Sequence, residues 1–282
     1  MSILKKFLYL NNFHDKHNFY YLVCNNKVVG YIHKYIVELI LTSKISVVIK
    51  KKQIIFKENN FKKLTTVFEN VTEVLLEKNI IKNLTGEKFP CTNILGKKEI
   101  FNVDRSTVEY LGIRGYGVHL VAYMKVKNKF YLWIPKRSKT KIVEPNKYDN
   151  TVAGGISSGE NLYQALTREA KEEANISKLL LKKAFPTGTI SYNWRNKKFS
   201  LRRDTLFLFD IEVDKGFKPI CRDGEVENFQ LMQCKKVLDM IKNTNFFKKN
   251  CALVIAHFLV RNGLLNKDND TNYEKICSMM NL

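Results

Sequence analysis

Apolar and polar positions change period along the chain in an order that predicts two units. Residues 20–24 and 28–32 alternate on either side of Asn25-Asn26, a pair suited to a tight turn, and predict a β-hairpin. A short helix is expected over 35–41, with further strands over 46–49 and 53–56. Between 61 and 82, Leu64, Val67, Phe68, Val71, Val74 and Leu75 recur at helical spacing, so one helix face packs on those strands. The stretch 86–105, with Pro90 and several polar residues, reads as the connection between units. Beyond Gly117, residues 118–126 and 130–135 are strand-like and flank Lys127-Asn128-Lys129, a second hairpin. A polar loop to Asn150 leads to a short strand at 151–153, a glycine-rich turn and a helix over 161–174. Strands are expected at 189–193, 201–213 and 227–232, and helices at 234–242 and 251–262; the polar residues after Gly263 are expected to fray. The order implies a small α+β domain over 1–105, an α/β domain over 106–265 and a tail over 266–282.

Composition agrees with that division. A chain of 282 residues suits two domains at roughly 150 residues each. No run reaches the roughly 18 uncharged apolar residues of a membrane span; the best, 35–49, is broken by Glu38 and Lys44. The start of the chain is basic and apolar, but its apolar run is short and no small-residue cleavage site follows, so no signal peptide is expected. Cys24, Cys91, Cys221, Cys234, Cys251 and Cys277 form no CxxC pair and no zinc spacing. They suit a reducing compartment, and the cytoplasm is expected. The formal net charge of +21 fits compositional drift toward Lys and Asn, attraction of a small phosphorylated substrate, or nucleic-acid binding. The lysines are scattered over both halves with no long basic run or RNA-binding signature, so nucleic acid is the least favoured partner.

The chemistry is concentrated in 154–176. Glu169, Glu172 and Glu173 lie at i, i+3 and i+4 on the predicted helix, continuing a line begun by Leu162 and Leu166. An acidic surface face is the usual meaning of such a run. A stripe that begins apolar and ends in carboxylates, however, needs a cation against it, because like charges repel and more strongly as they are desolvated. Hard oxygen ligands of this kind suit Mg2+ or Mn2+, which also bind phosphates. Gly154, Gly155 and Gly159 in the preceding turn permit close backbone approach. Glu160 stands near the helix start, and Arg168, two turns on, can reach back to it or orient Glu172.

Gly154, Glu160, Arg168, Glu169, Ala170, Glu172, Glu173 and Ile176 fall at the spacings of G-x5-E-x7-R-E-U-x-E-E-x-G-U, with U apolar. The stretch resembles the Nudix box. The one departure is Asn175 in place of glycine, and Asn is the next best residue for a left-handed C-cap. The resemblance implies a Nudix α/β/α sandwich with a mixed sheet. It implies metal ligation by Glu169, Glu172 and Glu173 with the Gly154 carbonyl, Glu160 and Arg168 as structural braces, and hydrolysis of a diphosphate. Which glutamate serves as base stays open; Glu225 and Glu227 are candidates for a distal ligand or base.

Residues 117–120, 132–140, 149–155 and 223–227, together with the preceding unit of about 100 residues, look like a branch of Nudix proteins related to thiamine pyrophosphokinase. That likeness implies conversion of thiamine diphosphate, or its damaged analogues, to the monophosphate. Lys136, Arg137, Lys139 and Lys141 are candidates for the outer phosphate, as easily read as a solvated basic loop. Trp133, Tyr148 and Trp194 are candidates to stack on a heteroaromatic ring, with core packing the simpler reading for each, as it is for His119. ADP-ribose, a dinucleotide or a nucleotide remains an alternative substrate, and a non-catalytic binding module an alternative function. An isopentenyl diphosphate isomerase, of similar fold, needs a cysteine on the strand before the box, and residues 150–153 hold none.

Overall fold

The structure is a computed structural model and describes all residues except 1, 15, 141, 142 and 281. After helix α1 (Ile3–Leu10), strands β1 (Phe19–Cys24) and β2 (Lys27–His33) form the first hairpin. Asn25 and Asn26 have φ of 50° and 59°, the two left-handed residues that a type I′ turn requires. Helix α2 (Lys34–Leu41), strands β3 (Val48–Lys50) and β4 (Gln53–Phe56) and helix α3 (Phe61–Glu77) follow. The sheet order is β2-β1-β4-β3, with β1 parallel to β4. Leu64, Phe68, Val71 and Leu75 of α3 share one core with Leu22, Ile54 and Phe56, as the helical spacing requires.

The stretch read as a connection is structured. Strands β5 (Lys88–Cys91) and β6 (Phe101–Asp104) pair antiparallel, and Phe89, Cys91, Phe101 and Val103 bury in the first unit's core. Four-residue strands, one containing Pro90, are too short to show a period. Helix α4 (Val108–Leu111) then leads into the second sheet.

That sheet comprises β7 (Arg114–Val126), β8 (Lys129–Arg137), β9 (Val152–Gly155), β10 (Phe185–Trp194), β11 (Arg202–Glu212) and β12 (Val226–Gln233). Its order is β10-β11-β7-β8-β12, with β9 also on β7; β11 is parallel to β7 and the other pairs are antiparallel. Helices α5 (Leu162–Ala174) and α6 (Lys178–Leu181) cover one face. On that face Val118, Leu120 and Ala122 of β7 meet Leu166 and Ala170. Helices α7 (Cys234–Asn243) and α8 (Lys249–Arg261) cover the other, where Val121 and Leu132 meet Val237, Leu253 and Phe258. The result is the expected α/β/α sandwich with a mixed sheet.

Two sequence-remote helices complete the α8 face. Ile3, Phe7 and Leu10 of α1, spaced i, i+4 and i+7, bury in this core rather than in that of the unit that follows them. The residues expected to fray form helix α9 (Tyr273–Met280), whose Ile276 and Met280 are buried in the same cluster. No helix among the described residues is long and apolar enough to cross a membrane.

A split in the sheet places the site. Strands β7 and β8 pair only over 123–126 and 129–132, after which β8 continues with β12. The chain from 147 to 155 enters the gap. The Arg137 N–H donates to the Lys147 carbonyl at 2.9 Å, the Asp149 N–H donates to the Pro135 carbonyl at 3.0 Å, and β9 then runs along β7. Thr151 Oγ1 spans the gap, donating to the Trp133 carbonyl at 2.7 Å and accepting from the Ala122 N–H at 2.9 Å.

Candidate active site

The turn between β9 and α5 is held from within. The Ser157 N–H donates to Glu160 Oε2 at 3.0 Å, and Asn161 and Gln164 cap the helix reciprocally at 2.9 and 2.8 Å. That capping box is local and needed only the Asn-x-x-Gln spacing to be seen. At the other end Asn175 has φ 52° and ψ 35°, the left-handed C-cap expected of an Asn at this position.

The carboxylate stripe divides. Glu169 and Glu173 are 9% and 6% exposed and face the sheet, whereas the Glu172 side chain is 47% exposed. Arg168 lies between them and the loop. It donates to both Glu160 oxygens at 2.7 and 2.8 Å, to Glu169 Oε1 at 2.7 Å and to the Gly155 carbonyl at 3.1 Å, and reaches Glu172 at 3.4 Å. Arg168 and Glu160 are thus bonded to each other across the loop, with Glu169 a closer partner of Arg168 than Glu172. The Arg168 contact holds the Glu160 carboxyl below the usual carboxylate range.

Gly154 makes room. A Cβ at this position would fall 1.8 Å from Glu169 Cδ, so no other residue lets the carboxyl lie against the strand. The Gly154 carbonyl itself is turned toward β7, where a Cβ on Gly117 would come within 3.0 Å of it. Strand alternation thus directs this carbonyl, expected as a metal ligand, into the sheet. Ala153, one residue earlier, directs its N–H to Glu173 Oε2 at 2.7 Å, and the carbonyl of a strand residue points to the same side as its N–H.

The electrostatics favour a cation here. Burial raises the Glu173 carboxyl well above the usual range, and Glu169 and Asp149 add to the rise. Burial also raises Glu169, in spite of Arg168. Two acidic groups that resist ionisation side by side, with a backbone carbonyl on the same side, are the hard oxygen donors that a small divalent ion takes. Among the described residues no group of three or more His, Cys, Asp or Glu side chains is already gathered around such a position. Arg168 draws Glu169 toward the loop, and Glu172 faces outward.

The other candidates divide by which side of the sheet they occupy. The loop after β11 crosses the end of α5, its Arg222 N–H donating to the Glu172 carbonyl at 2.9 Å and its Ile220 N–H to the Ala174 carbonyl at 3.2 Å. The Glu225 carbonyl then accepts from the Ser138 N–H at 2.9 Å, which brings Glu225 to the end of β8. Lys136 pairs with exposed Glu227 at 3.0 Å, and Lys139 is exposed beside them; Lys141 lies outside the described residues. Arg137 is not free for phosphate. It is buried, bonded to Asp149 at 2.7 Å and to the Val143 and Glu144 carbonyls at 2.9 and 3.2 Å. Trp133 is on the α5 face, near Phe217, and its indole N–H is buried without a partner. Tyr148 and Trp194 pack into the opposite face, Trp194 against Tyr9 and Lys249, so neither can stack on a ligand at the box. His119 is buried and bonded to Asn150 at 2.8 Å; burial, then Lys248, lowers its pKa to about 4.

Residues 115–252 match the family described as NUDIX domain, and residues 2–115 match Domain of unknown function (DUF4743). The chain is 37% identical to Nudix hydrolase 20, chloroplastic, of Arabidopsis thaliana over 204 residues, 72% of this chain and 54% of the relative. It is 30% identical to uncharacterized protein YJR142W of Saccharomyces cerevisiae over 241 residues, 80% of this chain and 70% of that one. The crystal structure of DR0079 from Deinococcus radiodurans, 19% identical, covers 61% of this chain and 99% of its own, with a TM-score of 0.44. The chain spans little more than half the length of the plant relatives it matches.

Proposed function

The chain belongs to the Nudix family, in a form with a DUF4743 domain ahead of the Nudix domain, and from that premise we propose that it is a divalent-metal-dependent hydrolase of a small diphosphate. The observation that carries the reading is the pair of buried carboxyl groups, Glu169 and Glu173, facing the Ala153 edge of β9 beside a glycine that leaves them room. In this reading Glu169, Glu173 and the more exposed Glu172 hold Mg2+ or Mn2+. When bound, such an ion neutralises diphosphate oxygens and lowers the pKa of a coordinated water.

The chain's own residues supply the rest. Glu160 fixes Arg168, and Arg168 fixes Glu169 and the loop carbonyl of Gly155. Exposed Lys139, after β8, and Lys136, there paired with Glu227, are the cations for the outer phosphate, with Glu225 beside them. Trp133 is the aromatic candidate that shares a face with the box.

Thiamine diphosphate or a damaged analogue is the proposed substrate, cleaved to the monophosphate and phosphate. The likeness of residues 132–140, 149–155 and 223–227 to the thiamine-linked branch supports it. The test is a panel of thiamine diphosphate, oxidised thiamine diphosphate, ADP-ribose, NADH and an oxidised nucleotide, with Mg2+ or Mn2+ and products separated by chromatography. Preference for the thiamine compounds is expected. Preference for a nucleotide keeps the hydrolase and discards the thiamine assignment, and binding of nucleic acid without metal-dependent turnover of any member overturns the hydrolase reading.

A further inference from the structure

The first unit touches the box loop through the β5–β6 hairpin, and the contacts are polar, specific and convergent. Glu99, in the turn of that hairpin, accepts the Ser158 hydroxyl at 2.6 Å and the Gly159 N–H at 2.9 Å. Glu87, just before β5, accepts the Ser157 hydroxyl at 2.9 Å and is itself held by Arg105 at 2.8 Å. The Ser158 N–H donates to the Lys88 carbonyl at 2.8 Å, and Asn102 of β6 donates to the Ser158 hydroxyl at 3.1 Å. The Phe89 ring closes the loop from below, so near that a Cβ on Gly155 would fall 2.5 Å from it.

Three consecutive loop residues, 157–159, are thus fixed by groups from outside the Nudix domain. The same three residues carry Glu160, whose carboxylate takes the Ser157 N–H and both arms of Arg168. The bonds within the loop tie Ser157 to Glu160, whereas the hydroxyls of Ser157 and Ser158 and the Gly159 N–H are taken by Glu87 and Glu99. A turn of two serines and Gly159, at φ 82°, has many conformations open to it, and the hairpin selects one.

We propose that the β5–β6 hairpin is a working part of the active site, with Glu99 and Glu87 as positioning residues that hold the 157–160 loop in the shape from which Arg168 sets Glu169. The hairpin acts through the chain Glu99, loop, Glu160, Arg168 and Glu169. It needs no contact with substrate. It also accounts for the DUF4743 domain as an active-site component and not only an appended module. The inference rests on the metal-centre reading of the box given above.

The experiment is Mn2+ binding to the full chain without substrate, followed by the loss of the free-ion electron paramagnetic resonance signal, beside thermal unfolding in EDTA. Glu99→Ala is expected to weaken Mn2+ binding by about 10-fold, the lower end for a residue that orients a metal ligand from behind. Glu99→Gln, whose amide oxygen can still accept the Gly159 N–H while its NH2 donates to the Ser158 hydroxyl oxygen, is expected to restore most of it. Ser158→Ala removes the same contact from the loop side. Combined with Glu99→Ala it should weaken binding less than the two single effects multiplied. Should Glu99→Ala fail to fold, Ser158→Ala alone decides between weakened and unchanged binding. Wild-type affinity in Glu99→Ala and Ser158→Ala, with binding lost in Glu173→Gln, overturns the positioning role and leaves the metal centre standing. Wild-type affinity in Glu173→Gln overturns the metal centre itself, and the proposal with it.

Discussion

Glu173→Gln is expected to lower metal-dependent diphosphate hydrolysis by roughly 10²- to 10⁴-fold, the span for losing a positioned carboxylate that assists charge neutralisation or proton transfer. The fold should survive. A glutamine has the shape of glutamate, and its amide oxygen can still accept the Ala153 N–H that Glu173 takes at 2.7 Å. Burial already disfavours the charge on this side chain in the metal-free protein, so a neutral replacement removes a cost and breaks no ion pair. The unfolding midpoint in EDTA should therefore not fall, while steady-state turnover with Mg2+ does. Unchanged turnover removes Glu173 from the site; a collapsed midpoint makes the residue structural.

Asp149→Asn carries the largest expected stability effect. Asp149 is buried in the gap between β7 and β8, with Arg137 at 2.7 Å and Lys248 at 3.4 Å on the same oxygen, and the Cys251 thiol on the other. Removing its charge strands a buried guanidinium and a largely buried ammonium, for which about 3–5 kcal/mol is the usual cost. The pH dependence follows with a definite sign. Burial alone would raise the Asp149 carboxyl, but Lys248 and Arg137 outweigh it and hold the group well below its usual range. A carboxylate depressed in the folded state contributes its stability fully above the unfolded pKa, near 3.9, and loses it as pH falls toward the folded value. The gap in unfolding midpoint between wild type and Asp149→Asn is expected to be widest near neutrality and to narrow below about pH 4. A gap that is constant or widens in acid contradicts the ion-pair account.

What was legible in the sequence was local. Asn25-Asn26 and Lys127-Asn128 announce their turns because few residues accept two successive left-handed conformations. The box was legible because its residues keep fixed spacings across one loop and one helix, and Arg168 meets Glu160 across eight residues. Contacts between distant segments were not legible. Nothing in residues 3–10 says that their apolar stripe fits α8 and α9 at the far end of the chain. Arg137 reads as a phosphate-binding cation until Asp149 is found beside it in the fold. Glu99 is an unremarkable acid in a polar stretch, and only the tertiary structure sets it against Gly159. The turn of the Gly154 carbonyl into the sheet, in place of the site, depends on strand alternation and pairing register, which spacing alone cannot fix.

A divalent-metal centre in the 154–173 stretch would show itself directly in diffraction. Crystals of the full chain soaked in Mn2+ and measured for anomalous scattering near the manganese edge test it most directly. The account predicts a peak enclosed by the carboxylates of Glu169 and Glu173 on the Ala153 side of β9, absent from Glu173→Gln crystals soaked in the same way. A peak elsewhere on the chain with none at the box, or an undiminished box peak in the variant, would contradict it.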